Sequence, residues 1–215
     1  FNHLELRQAL IARGHRFTTN CDTEVIVHLY EEHGENCVHH LNGQWAFAIW
    51  DRRESKLFLS RDRLGVRPLY YTLAANRFYF ASEVKSLFTQ TEVPRRLDPI
   101  GLDQVFTFWC PVAPRTVFEG ISELPPGHNL TVARGKLELR RYWQLDYGTR
   151  LESMSLDRCA DTLLELLLDA TQLRLRSDVP VGAYLSGGLD SAITTALARE
   201  CTSANSVSKA SCERS

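Results

Sequence analysis

"VPVGAYLSGGLDSAI", residues 179–193, decides the fold of the second half of this chain. Residues 179–185 are short and apolar on both faces, which is typical of a strand buried in a parallel sheet. Two glycines follow Ser186, and apolar residues at helical spacing after Ser191 predict a helix. A strand, a glycine turn and a helix in this order predict the first element of an α/β domain.

This arrangement favours phosphate binding. The first N–H groups of a helix have no partner inside it, and the helix dipole adds positive potential at that end. The hydroxyls of Ser186 and Ser191 can donate to phosphate oxygens, whereas Asp190 would repel phosphate directly. The role predicted for Asp190 is therefore to hold a Mg²⁺ ion that bridges to the phosphate. An ordinary tight turn is the alternative, but the complete SGGxDS pattern favours the phosphate loop.

The residues before this loop predict two helices and then short strands. Apolar residues at helical spacing predict helices over residues 2–13 and from Asp22 to Gly34. The pattern then changes to short apolar runs joined by polar turns, which predicts an antiparallel meander followed by one more hairpin. The predicted strands of the meander are residues 44–50, 56–60, 69–73 and 77–81, and those of the hairpin are residues 129–132 and 137–143.

A proline-rich segment, residues 91–127, separates the meander from the last hairpin. It predicts ordered loop and a short helix, because several apolar side chains there need burial. The clearest helix follows over residues 155–176, and we place a domain boundary just before it, giving domains 1–147 and 148–215. The side chains expected to be buried in the proline-rich segment are Val105, Phe106, Phe108, Trp109, Val117 and Phe118.

Composition limits the possible classes of protein. The 215 residues are 44% apolar and carry a formal net charge of −1, enough for one large or two modest cores. The near-zero charge predicts neither a nucleic-acid partner nor a membrane partner. No apolar run is long enough to span a bilayer, and no signal-peptide pattern opens the chain, so a cytoplasmic location is predicted. The six cysteines are scattered without a CxxC pair, which favours free thiols over zinc or disulfides.

Several longer stretches carry a family resemblance. SGGLDS resembles the pyrophosphate loop of the ATP-pyrophosphatase (PP-loop) superfamily. The stretches "LNGQWAFAIWD" (41–51), "RDRLGVRPLYY" (61–71) and "FASEVKSL" (80–87) resemble the glutaminase domain of glutamine-hydrolysing asparagine synthetases. "APRTVFEGISELPPGH" (113–128) resembles that family's interdomain stretch, and the resemblance extends to about residue 200.

The resemblance implies a fold and a reaction. The fold is α/β: an incomplete N-terminal-nucleophile-type glutaminase domain, an αββα sandwich, followed by the start of a PP-loop synthetase domain with a Rossmann-like parallel sheet. The glutaminase releases ammonia from glutamine. The synthetase uses ATP to turn aspartate into β-aspartyl-AMP, which ammonia converts to asparagine, with AMP and diphosphate as the other products.

The resemblance also implies site residues. Asp22, in "TTNCDTEVI" (18–26), falls on the aspartate that binds the α-amine of glutamine, although a residue there could instead cap the second helix. The catalytic cysteine of the family would lie upstream of Phe1. The implied cofactors are ATP and Mg²⁺, with Asp190 as the metal ligand. The residues implied to bind ATP are Leu185, Ser186, Gly187, Gly188, Asp190 and Ser191.

Three outcomes stay open for activity: an asparagine synthetase, a related amidotransferase of the β-lactam synthetase type with another carboxylate acceptor, or an inactive remnant. The sequence departs from the family pattern after residue 200, and a parallel sheet with bare edges predicts that the second domain is unstable alone. The expected partners are the small molecules glutamine, aspartate and ATP, and a second copy of the chain as a homodimer is a further candidate.

Overall fold

The computed structural model describes residues 1–148, 154–177 and 179–212, the last ten of these by backbone only. The chain forms two compact units. The first unit is Asn2–Leu145, and the second is Asp146–Ser215 together with Phe1. Among the described helices, none combines the length and apolar character of a bilayer-crossing segment.

Two helices open the first unit, and both sequence predictions for them are confirmed. Helix α1 is His3–Ala12 and helix α2 is Asp22–His33, which ends at Gly34 with a φ of +56°. A 3₁₀ helix, Gly34–His40, follows. The inner faces of these helices bury Leu10, Val25 and Leu29.

The strands form two antiparallel sheets rather than the single meander that the sequence predicted. The sheets share the prediction's hairpins but not its strand order, because β2 (Lys56–Arg61) pairs with β6 (His128–Ala133) and not with β3 (Tyr70–Ala74). The chain leaves the first sheet at a sharp, internally bonded turn after β2 and starts the second sheet beyond it. The first sheet has the order β1 (Ala46–Asp51), β2 (Lys56–Arg61), β6 (His128–Ala133), β7 (Lys136–Arg141), and the second β4 (Arg77–Ala81), β3 (Tyr70–Ala74), β5 (Ile121–Glu123).

Alternation along the strands builds four layers, because successive side chains of a strand point to opposite faces. Phe58 of β2 packs under α1 and α2, while its neighbour Leu59 packs toward the second sheet. In β3, Tyr71 faces the first sheet and Tyr70 packs with the short helix α3, Val84–Leu87. The first unit is therefore helix, sheet, sheet and helix, as expected from the resemblance.

The proline-rich segment contains the predicted short helix, α4, Pro99–Phe108. Asp98 caps it by accepting hydrogen bonds from the N–H groups of Ile100 (2.9 Å) and Gly101 (3.1 Å). The predicted burial of Phe106, Phe108 and Trp109 is wrong: all three are exposed, Trp109 to 92%. Helix α4 packs through Gly101 against the backbone of Thr116, which leaves its aromatic end facing away.

The second unit consists of helices in its described residues. Helix α5 is Leu156–Arg174, capped by the Ser155 hydroxyl, and helix α6 is Leu189–Cys212. The prediction of a buried strand over residues 179–185 is wrong. Val181 is exposed and Tyr184 is fully exposed, because among the described residues no strand lies beside this segment to pair with its backbone.

Candidate functional site

Asp22 is the first residue of α2 and is exposed to solvent. The N-cap position belongs to Cys21, and no side chain makes a capping hydrogen bond there, so the alternative role of Asp22 as the cap is wrong. Within the described part of the chain, the Asp22 carboxylate accepts only long contacts, from the Cys21 thiol at 3.6 Å and the Thr23 hydroxyl at 3.4 Å. Its oxygens are therefore accessible to a cationic ligand.

Glu24 fixes the segment that leads into Asp22. Its two carboxylate oxygens accept hydrogen bonds from the backbone N–H and hydroxyl groups of Thr18 and Thr19, at 2.6–2.9 Å. The Thr19 hydroxyl, and next the Thr18 N–H, lower the pKa of Glu24 to about 2, because these bonds favour the charged form. Glu24 therefore stays ionised and holds the start of α2 in place.

A cleft of about 530 Å³ opens beside Asp22. The three stretches that resemble the glutaminase domain, residues 41–51, 61–71 and 80–87, all reach it. The lining offers charges of both signs, carboxylates from Asp22 and Glu83 and a guanidinium from Arg67, as a zwitterionic amino acid requires. The complete lining is Asp22, Thr23, Ile26, Gln44, Trp45, Ala46, Phe47, Arg67, Pro68, Ser82 and Glu83.

A buried carboxylate that the sequence analysis missed organises one wall of the cleft. Asp62 is 1% exposed. Its Oδ1 accepts from the N–H groups of Leu64 (3.2 Å) and Val66 (3.0 Å), and its Oδ2 from those of Trp45 (3.3 Å) and Arg67 (3.0 Å). An aspartate followed three residues later by Gly65 is a common sign of such a turn and could have revealed it.

Arg61 holds the same turn from the other side. Its guanidinium donates to the backbone carbonyls of Arg67 (2.8 Å), Gly65 (2.7 Å) and Leu124 (2.6 Å), and it pairs with Glu123 at 2.7 Å. Arg61 is 5% exposed, so these bonds satisfy a charge that would otherwise be costly to bury. The turn is therefore a rigid support that presents Arg67 and Pro68 to the cleft.

The six residues predicted to bind ATP lie together in one exposed turn of the second unit. The Ser186 and Ser191 hydroxyl oxygens are 3.0 Å apart, and Ser191 donates to the Gly188 carbonyl at 3.0 Å. Gly187 has a φ of +84°, a conformation that favours glycine, and no heavy atom lies within 4 Å of where its Cβ would be. The turn is open, and an anion could approach both glycines.

Asp190 is the residue for which the sequence predicts the role of a Mg²⁺ ligand. It occupies the first turn of α6 next to Ser191, and its side chain is exposed. One carboxylate together with phosphate oxygens and water is a usual environment for Mg²⁺. Leu185, at the other end of the turn, is exposed.

Two protein families match the chain, one over the region of the cleft and one over the region of the turn. Residues 1–143 match the family described as "Glutamine amidotransferase domain", and residues 162–213 match "Asparagine synthase". Asparagine synthetase [glutamine-hydrolyzing] 3 of Bacillus subtilis is 42% identical over 92% of this chain and 32% of its own length. A putative asparagine synthetase [glutamine-hydrolyzing] 2 of Methanocaldococcus jannaschii is 37% identical over 94% of this chain and 39% of its own length.

Two further relatives carry another name. Amidase chry2 of Gibberella zeae is 35% identical over 87% of this chain and 28% of its own length, and amidase chyE of Penicillium rubens is 33% identical over 89% and 28%. The chain thus spans about a third of the length of the curated relatives that it matches.

The sequence matches confirm the resemblance to glutamine-hydrolysing asparagine synthetases. The amidotransferase match alone extends over residues 1–143 of 215 and includes every residue that lines the cleft. On that match, this chain belongs to the glutamine amidotransferase domain family.

Proposed function

We propose that this chain supplies the glutamine-binding domain and the ATP loop of a glutamine-hydrolysing asparagine synthetase, with residues 1–147 as the glutaminase domain and residues 148–215 as the start of the synthetase domain. The overall reaction converts ATP, aspartate, glutamine and water to asparagine, glutamate, AMP and diphosphate. The observation that carries the proposal is the cleft beside Asp22, where three separate family-like stretches meet.

Asp22 binds the α-ammonium group of glutamine in this proposal. An exposed carboxylate at the edge of a cleft forms a charge-assisted hydrogen bond with an ammonium group. Arg67, on the wall held by Asp62, provides the opposite charge for the α-carboxylate of the ligand. Because Glu24 and Asp62 fix the two sides, the site is ordered before the ligand arrives.

The turn in the second unit binds the phosphates of ATP. Ser186 and Ser191 donate hydroxyl groups, Gly187 and Gly188 offer open backbone, and Leu185 leads into the turn. Asp190 holds Mg²⁺, which would neutralise the departing diphosphate when bound. These residues would hold and orient the phosphates while a carboxylate oxygen of aspartate attacks the α-phosphate of ATP. Diphosphate leaves, and the β-aspartyl-AMP that forms is the species that ammonia attacks, releasing AMP.

Diphosphate release tests the ATP loop. In the complete reading frame that contains this chain, ATP-dependent diphosphate release with aspartate and ammonia should fall about tenfold to a hundredfold in Ser186→Ala and Asp190→Ala, since each variant loses a charge-assisted contact. Thr202→Ala, on the same helix, is the matched control and should keep the parent rate. Parental rates in both loop variants would show that the turn does not bind ATP.

Comparing glutamine with ammonia as the source of nitrogen tests the glutamine site separately from the ATP loop. Asp22→Asn should raise the KM for glutamine about tenfold to a hundredfold, since it loses a charged hydrogen bond, and should leave ammonia-dependent synthesis unchanged. Asp103→Asn, an exposed aspartate on α4, is the control. An unchanged KM in Asp22→Asn would remove Asp22 from the glutamine site. Absence of all activity in the parent protein would identify it as an inactive remnant.

The alternative function is that of a related amidotransferase that uses a carboxylate other than aspartate as the acceptor. The two fungal relatives are named amidases rather than synthetases, which supports a related amidotransferase with a different carboxylate substrate. Replacing aspartate by other carboxylates in the diphosphate assay distinguishes the two, because only the true acceptor gives release.

We also propose a cytoplasmic location and a homodimer. A cytoplasmic location follows from the soluble substrates, glutamine, aspartate and ATP, on which the proposed reaction depends. Light scattering of the full-frame protein after size exclusion tests the homodimer, and a monomeric mass at micromolar concentration would contradict it.

A further inference from the structure

We propose that His15, His28 and Glu31 form a binding site for a divalent transition-metal ion of the zinc class in the first unit. None of these three residues belongs to the proposed glutamine or ATP site. It joins the segment after α1 to the middle of α2, and the chain between His15 and α2 leads to Asp22.

The geometry of the three side chains matches one face of a tetrahedral site. The two histidine Nδ1 atoms are 3.1 Å apart, and Glu31 Oε2 lies 2.8 Å from Nδ1 of His28 and 3.6 Å from Nδ1 of His15. Zinc bonds of 2.0–2.1 Å in a tetrahedron place ligand atoms about 3.3 Å apart. The three observed separations lie on both sides of that value, so one ion can reach all three atoms.

The backbone prearranges these ligands. His28 and Glu31 are three residues apart on α2 and so lie on one face of the helix. The N–H of His15 donates to the Leu10 carbonyl at 3.1 Å, which closes the end of α1 and fixes the backbone of His15. The His15 and His28 side chains are only 17% and 16% exposed, so both rings are held by their surroundings.

A second layer of contacts supports the ligand role. Nε2 of His15 bonds to Glu32 Oε1 at 2.9 Å, and Glu32 in turn accepts from Arg13 at 2.7 Å. A histidine that binds metal through one nitrogen usually donates from the other to a carboxylate in this way, which fixes the tautomer and makes the free nitrogen a better ligand. Phe17 packs edge-on against the His28 ring and forms an apolar wall.

Hydrogen bonding among the three groups accounts poorly for the arrangement. If the His15 Nδ1–H donates to His28, the lone pair at His28 is filled and the Glu31 carboxylate 2.8 Å away meets no proton. If the Nδ1–H of His28 donates to Glu31 instead, that same proton is the one that would have to bond Nδ1 of His15, which lies 3.1 Å away. Nε2 of His28 is also buried without a hydrogen-bond partner, 3.9 Å from Glu24. A metal ion accepts all three lone pairs and leaves a proton on Nε2, facing that carboxylate.

Imidazole and carboxylate ligands select the class of metal. Imidazole nitrogen suits zinc, cobalt, nickel and copper, whereas magnesium and calcium prefer sites built from oxygen alone. Glu31 is 57% exposed, which leaves room for a water molecule as the fourth ligand. The site is therefore a three-ligand site with one open position.

Cobalt is the direct probe. The full chain, stripped of metal with a chelator, is titrated with Co²⁺, and a single equivalent should give a visible absorption band of tetrahedral intensity that one equivalent of Zn²⁺ removes. Because the described chain contains free thiols, the near-ultraviolet thiolate band must stay absent. Absence of saturable binding, or a thiolate band, would overturn the proposal.

Variants locate the ion. Glu31→Gln and His28→Gln should each weaken Co²⁺ affinity at least about tenfold, and Glu32→Gln should weaken it about 10- to 100-fold as a supporting residue. His39→Gln, an exposed histidine of the 3₁₀ helix that contacts Tyr142 instead, is the control and should bind normally. If His28→Gln does not fold, the exposed Glu31 decides, and undiminished binding in Glu31→Gln would place the ion elsewhere.

Discussion

Asp62 illustrates how a single carboxylate can set the geometry of a binding wall. It is enclosed and accepts four backbone N–H bonds. Asp62→Asn keeps the shape but loses the charge and turns an NH₂ group toward N–H donors. We expect a loss of about 2–4 kcal/mol in the free energy of unfolding.

Urea denaturation of the chain measures this loss. Asp103→Asn, an exposed aspartate on α4, is the control and should change stability by less than about 0.5 kcal/mol. Equal effects of the two substitutions would mean that the turn does not depend on Asp62.

Glu24 gives the protein a specific sensitivity to acid. Its folded pKa is about 2 and its ordinary value is 4.5, so between these values the unfolded chain binds more protons than the folded chain. The stability that Glu24 contributes is therefore complete above pH 4.5 and is lost as the pH falls toward 2. The slope of unfolding free energy against pH in this range should be smaller in Glu24→Gln than in the parent.

Glu138→Gln, an exposed glutamate of β7, serves as the comparison and should retain the parent slope. Identical slopes in all three proteins would show that the contacts of Glu24 with Thr18 and Thr19 do not persist in solution.

At the scale of elements, the position of α4 depends on a residue without a side chain. A Cβ at Gly101 would lie 2.1 Å from the Thr116 carbonyl oxygen. Replacing glycine by alanine inside a helix usually stabilises it by about 0.5–1 kcal/mol. Here Gly101→Ala should instead destabilise the unit by about 1–3 kcal/mol, because the helix must move off its support.

Thermal and urea unfolding of Gly101→Ala, with Asp103→Ala in the same helix as control, test the sign of the effect. Asp103 is exposed, so its substitution should stay within about 0.5 kcal/mol of the parent. Stabilisation by Gly101→Ala would contradict the close contact.

The elements also show what the sequence could and could not predict. Helices α1, α2 and α5 and the hairpins were predicted because their patterns are local. The pairing of β2 with β6 was not, since alternation along a strand says which face is buried and nothing about its neighbour.

The same distinction between local patterns and contacts of the folded chain applies to the site residues. Asp22 and the Ser186–Ser191 turn follow from short motifs, whereas the role of Asp62 depends on backbone groups that meet only in the folded chain. The strand expected over residues 179–185 failed for a related reason, because a buried strand is defined by the strands beside it. The exposed Trp109 shows that an apolar side chain does not by itself secure burial.

At the scale of the molecule, we expect the two units to differ in whether each can fold without the other. Among the residues that the structure describes, the three core clusters all lie in the first unit, while most leucines of α5 remain exposed, with Leu156, Leu163 and Leu166 as examples. Residues 1–145 alone should unfold in a cooperative thermal transition, whereas residues 146–215 alone should show weak helicity without one. Circular dichroism of both fragments beside the full chain measures this, and a cooperative transition in 146–215 would refute it.

The order of strands in the first sheet also governs how the protein is made. On the ribosome, β1 and β2 emerge together as a hairpin, but β6 leaves the exit tunnel only after β3, β4, α3 and α4. Until then one side of β2 stays an open edge, and Phe58 and Leu59, both buried in the finished unit, cannot be fully covered. We therefore expect the nascent chain to need protection from aggregation until the hairpin of β6 and β7 closes the first sheet.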